Sequence, residues 1–84
     1  MLYRLHTEDV NRRKIYRIMS KEFDGFTVYT AEGQWQGQRE KSLIMEVVGN
    51  RLLSRFKRVA RKIKTVNKQE AVIIEVLQNS GIII

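Results

Sequence analysis

The chain predicts an α+β sandwich of order β-α-β-β-α-β, with an antiparallel sheet and both helices on one face of it. Three observations carry that prediction. Apolar residues recur at helical spacing in two segments, around Ile15–Ile18–Met19 and around Leu52–Phe56–Val59–Ile63. Four other segments, at residues 1–6, 26–31, 41–48 and 71–77, are apolar-rich or rich in β-branched and aromatic residues. Breaks containing Gly, Asp, Asn or Ser fall between them at Asp24-Gly25, Gly33 to Gly37, Gly49-Asn50 and Gln78-Asn79-Ser80-Gly81.

Residues 1–6 form the first strand. Thr7 stands where it can cap a following helix, with Glu8 and Asp9 in the first turn, where carboxylates suit the positive end of the helix dipole. Ile15, Ile18, Met19, Glu22 and Phe23 then hold helical spacing with Tyr16 on the flank. Gly25 supplies a stop, because glycine accepts the left-handed conformation that commonly ends helices. Phe26, Val28 and Tyr29 lie in the second strand. The polar stretch 32–40 is a hairpin connection or the tip of a β-ribbon, and residues 41–48 are the third strand. A second helix spans 50–66, a fourth strand 71–77, and residues 81–84 a short fifth strand. With no proline, repeat or low-complexity tract, residues 1–84 form one domain. This is the split β-α-β arrangement of ferredoxin-like domains, and right-handed crossovers give the strand order 4-1-3-2.

Two helices cover one sheet face. Alternation puts Leu43, Met45 and Val47 on one side of the third strand and Ser42, Ile44, Glu46 and Val48 on the other. The fourth strand divides in the same way, Val72, Ile74 and Val76 against Ala71, Ile73, Glu75 and Leu77. The second face is thus also apolar enough to require a cover, and another copy of the chain is the simplest one. A chain of 84 residues builds a thin core, and small domains often gain stability by assembling.

The formal net charge is +7, which favours anionic partners, and it is localised. Arg51, Arg55, Lys57, Arg58, Arg61, Lys62, Lys64 and Lys68 lie in a segment with no Asp or Glu. On a helical wheel Leu52, Leu53, Phe56, Val59, Ala60 and Ile63 share one arc and the cations take the rest. Arg12, Arg13, Lys14, Arg17 and Lys21 on the first helix extend the same side. The surface suits an anionic partner or the backbone of nucleic acid, with few exposed aromatics or Asn/Gln to read bases, or it only solvates the helices.

The run Asp24-Gly25-Phe26-Thr27-Val28-Tyr29-Thr30-Ala31-Glu32-Gly33-Gln34-Trp35 resembles bacterial domains of unknown function with a D-G-(L/F)-T-V…G-x-W pattern, and Gln69-Glu70-Ala71-Val72 is similar to their lead into the last strand. In broader outline the element order is similar to the PII-like and CutA-like superfamily of ferredoxin-like proteins. That resemblance implies a homo-oligomer, usually a trimer, joined through its sheets. The 32–40 connection, with Gly33 and Gly37 isolated, lacks the long loop and glycine-rich phosphate contacts of a PII-type nucleotide sensor.

Trp35 in its polar hairpin, with Tyr29, Ile44 and Glu46, is a candidate for an interface or a pocket; otherwise Trp35 caps the edge of its own core. His6 stands alone, so it is expected satisfied or exposed and not a metal ligand. Glu46 and Glu75 are expected to pair across the sheet, for example with Arg4 or Lys41, and not to act as an acid–base couple. No cysteine, nucleophile triad, phosphate loop or metal spacing occurs, so neither catalytic residues nor a cofactor or metal is expected. The third strand lacks the glycine and aromatics of an RNA-recognition domain, and Leu5-His6 stand where a CRISPR-associated nuclease of this element order needs an Asp. The sequence therefore points to a non-enzymatic oligomeric binding or regulatory module, with a backbone-directed nucleic-acid-binding protein as the alternative and a small enzyme third. No signal-peptide pattern or membrane-length apolar run occurs, so a cytoplasmic protein without membrane contact is expected.

Overall fold

A computed structural model of the chain describes residues 1–78. The order is β1 (Leu2–Glu8), α1 (Arg12–Glu22), β2 (Thr27–Trp35), β3 (Gln38–Val48), α2 (Leu53–Asn67) and β4 (Ile73–Leu77). The sheet runs β2-β3-β1-β4 with every neighbouring pair antiparallel. This is the expected α+β ferredoxin-like sandwich, strand order included. The short fifth strand expected at 81–84 lies outside the described residues.

The alternating faces fall as read. Tyr3, Leu5, Leu43 and Met45 point to the helical side, where Ile15, Met19 and Phe23 from α1 and its end meet Phe56, Val59, Ala60 and Ile63 from α2. Phe56 is fully buried. Its ring lies 5.5 Å from Tyr3 and 5.0 Å from Phe23, so one side chain joins α2 to β1 and to the end of α1.

Three local expectations are corrected. Thr7 does not cap α1: it and Glu8 continue β1 opposite Leu43 and Ser42. Burial explains this, since Thr7 sits under the helices with its hydroxyl donating to Gln69 Oε1 at 2.6 Å. The same oxygen accepts from Asn67, whose own side-chain oxygen accepts from Asn11, so the start of α1 and the end of α2 are tied to the end of β1. The helix begins only at Arg12, after Asn11 in a left-handed conformation at φ 56°, and no side chain of the described residues caps it.

Gly25 does not stop α1 in a left-handed turn. Phe23 does so by going extended at φ −129°, which carries its ring into the core while its N–H still donates to Met19. The second helix starts at Leu53, not residue 50, because Arg51 turns left-handed at φ 57° and delivers Leu52 to the core.

Of the two expectations for 32–40, the β-ribbon tip is the one found: β2 and β3 continue to a two-residue turn at Gln36-Gly37, with both residues at positive φ (50° and 77°). That conformation matches the right-handed twist of paired strands. Since β1 reaches only to Ser42 on β3, the pairs from Glu32 with Lys41 to Trp35 with Gln38 project past the sheet as a two-stranded ribbon, and the molecule measures 40 × 27 × 18 Å.

Candidate binding surfaces

The open sheet face is built by four strands in register. Leu77, Leu2 and Val48 form one row across it, Glu75, Arg4, Glu46 and Thr27 the next, and Ile73, His6, Ile44 and Tyr29 the third. The second apolar face expected from alternation is therefore interrupted by a row of charge. Arg4 Nε donates to Glu46 Oε1 at 2.8 Å, and the Tyr29 hydroxyl donates to the same oxygen at 2.5 Å. His6 Nε2 pairs with Glu75 Oε1. Ile44 is buried beneath these groups, although no helix covers it. At the rim Val48 is 74% exposed and Ile73 60% exposed.

Of the interface candidates, Tyr29, Ile44 and Glu46 are brought together here. The backbone of Trp35 pairs with Gln38 at the far end of the ribbon. Arg4, His6 and Glu75 belong to the cluster without having been singled out for it; the signal was available, since all alternate onto the same face. His6 is satisfied, as expected, and the two carboxylates are paired separately, one to Arg4 and one to His6. Among the described residues no group of three His, Asp or Glu side chains could hold a metal ion.

The Tyr29 hydroxyl, and after it Arg4, holds the Glu46 carboxyl below its ordinary value, and the same bond raises Tyr29 above its own. Glu46 thus stabilises the fold when ionised. Its contribution is complete above the unfolded value of 4.5 and is lost as pH falls through the lower folded value. Tyr29 behaves oppositely: its contribution is present below 10.0 and lost as pH rises through the higher folded value. We expect the gap in thermal midpoint between the unmodified protein and Glu46→Gln to be full at neutral pH and to narrow below pH 4.5. A gap that stays constant to the acid limit would show that the Tyr29 and Arg4 bonds do not depend on the carboxylate.

The helical layer carries the candidate cations, in unequal states. Arg12 grips Asp9 with two bonds, 3.1 and 2.6 Å, and this pairing lowers the Asp9 pKa. Arg55 binds Glu22 Oε1 at 3.2 Å and the Glu22 carbonyl, and its guanidinium lies 4.7 Å from the centre of the Phe23 ring. Arg58 reaches the same Glu22 oxygen at 3.7 Å. Arg13, Arg17, Lys57, Arg61 and Lys62 are exposed, and among the described residues no carboxylate pairs with them. Arg51 is exposed in its turn, ahead of α2. Among the described residues no helix is long and apolar enough to cross a membrane.

Searches against family models and against curated proteins return no match, so the pattern at Asp24–Trp35 stands as a resemblance only. Solved structures do match. A de novo designed protein, Foldit4, is similar at a TM-score of 0.53 and 19% identity, over 88% of this chain and 89% of that one. The divalent ion tolerance protein CutA1 from Ehrlichia chaffeensis is similar at 0.51 and 18%, over 95% of this chain and 84% of that one. These likenesses establish the ferredoxin-like fold and no more. A designed chain shares it, and function resides in sites placed on folds.

Proposed function

We propose that the chain is a non-enzymatic binding or regulatory module that works as a homo-oligomer, joined through its open sheet face. The observation that carries this is the uncovered face itself, where Val48 and Ile73 stand largely exposed around the buried Ile44 and a charge row whose partners are already engaged. Side chains held in place before contact lose less freedom on binding, and an apolar rim in water favours a cover. The projecting ribbon supports the same arrangement, since an isolated two-stranded ribbon is marginal in water and gains from a neighbour. A trimer is favoured because the resemblance to PII-like and CutA-like domains implies one. Both surfaces offer charge and apolar area to a partner, so binding is the activity proposed.

The test is mass in solution. Sedimentation equilibrium or light scattering is expected to return three times the 9.9 kDa chain mass at low and high salt. A stable dimer would keep the sheet interface and reject the trimer; a monomer at high concentration would reject both.

A further inference from the structure

The fold divides the cations of the helical layer into those it uses and those it leaves. Arg12 and Arg55 are engaged by Asp9 and Glu22. Lys14, Arg17 and Lys21 lie along α1, with Arg61, Lys62 and Lys64 along α2, and among the described residues these have no carboxylate partner. The two helices pack side by side, and at 1.5 Å per residue the free cations spread over about 10 Å along each, from Lys14 to Lys21 on α1 and from Lys57 to Lys64 on α2. Neighbouring axes stand about 8–10 Å apart, so the charge is spread across a width as well as along a line.

We propose that this layer docks on the phosphate backbone of double-stranded nucleic acid without reading its sequence. Free cations on two adjacent helices complement a repeating polyanion. The chemistry of the same surface speaks against other anions. The cleft between the helices, about 420 Å³ and lined by Ile18, Arg61, Lys62, Thr65 and Val66, is open and largely apolar, so donors do not converge there on a compact anion. Tyr16, Phe23 and Phe56 pack inward, which leaves no stacking platform on the layer for single-stranded bases. The exposed apolar residues of α2 are Leu53 and Val66, at its opposite ends, so they form no contiguous wedge for a lipid surface. Base edges would need side chains of varied hydrogen-bonding character, and this surface offers chiefly charge. The proposal rests on the chain being a binding module, but not on its oligomeric state.

The experiment is fluorescence anisotropy of a labelled DNA duplex of arbitrary sequence, titrated with the unmodified protein at several salt concentrations. For about four to six phosphate contacts, affinity is expected to fall by about 10²–10³-fold between 50 and 200 mM salt, and to be equal for unrelated duplexes. Replacing Arg17, Lys21, Arg61 and Lys62 by Gln should flatten the salt slope by about 1 for each phosphate-binding cation removed, with the helical circular dichroism retained. The charge-neutral pair Asp9→Asn with Arg12→Gln should leave binding unchanged, because that arginine is already engaged. No binding at low salt, a slope near zero in the unmodified protein, or tighter binding to phosphatidylserine vesicles or polyglutamate than to duplex would overturn the proposal. The salt series on the unmodified protein decides it even if the fourfold variant fails to fold. A monomer that binds duplex in this way would sink the assembly proposed above and leave this one standing. An oligomer that does not bind would do the reverse.

Discussion

Replacing Phe56 by Ala is expected to cost the domain about 3–5 kcal/mol, the range for truncating a large buried aromatic. Phe56 is fully buried between the Tyr3 and Phe23 rings, so its loss opens a cavity that three elements border. β1 is a central strand of the sheet and cannot move to fill the space without breaking its pairing to β3 and β4. Small domains are stable by about 5–15 kcal/mol, so the variant should lose a large part of its stability or unfold at ordinary temperature. Urea unfolding followed by circular dichroism measures it. Lys57→Ala, one residue along on the exposed side of the same helix, should change stability by less than about 0.5 kcal/mol. Similar midpoints for the two variants would show that the ring cluster does not hold the helical layer to the sheet.

The second large effect is on assembly. Val48→Glu combined with Ile73→Glu places carboxylates at two exposed positions of the open face. In a lone domain both side chains point into water, so folding should be little altered. In an assembly that covers the face, each copy would bury unpaired charge beside Glu46 and Glu75, and like charges brought together cost several kcal/mol. The dissociation constant should rise by at least about 100-fold, equivalent to about 2.8 kcal/mol. Sedimentation velocity over a dilution series reads the change. An unaltered oligomer with an intact fold would place the interface elsewhere, with the ribbon as the next segment to vary.

Much of this molecule is legible in its sequence because its periodicities are clean. The alternation of Ser42, Ile44, Glu46 and Val48 assigns the open face, and the arc of Phe56, Val59, Ala60 and Ile63 assigns the buried side of α2. Turn chemistry is harder to read. Gln36-Gly37 makes a two-residue reversal that Asn-Gly would have advertised, since asparagine enters the left-handed region more readily than glutamine. Without that signal the hairpin connection and the ribbon tip both stay open, and the register that sets Tyr29 diagonally across from Glu46 stays unread. Thr7 has the chemistry of a helix cap, but tertiary burial against Gln69 takes precedence. The engagement of Arg55 by Glu22 joins residues 33 positions apart; a charge count along the chain cannot see it, so the basic helix overstates the cations available to a partner.

The central position of β1 also bears on the order in which the fold can form. Leu2 pairs with Val48 on one side and with Leu77 on the other, so the strand synthesised first has its backbone partners in segments made much later. The β2–β3 hairpin closes through a two-residue turn and needs only its own segment. Local pairings form quickly and distant ones slowly, so the hairpin should be the early structure in refolding. On the ribosome, β1 would wait with its hydrogen-bonding groups in water until β3 arrives, and its second edge until β4 does.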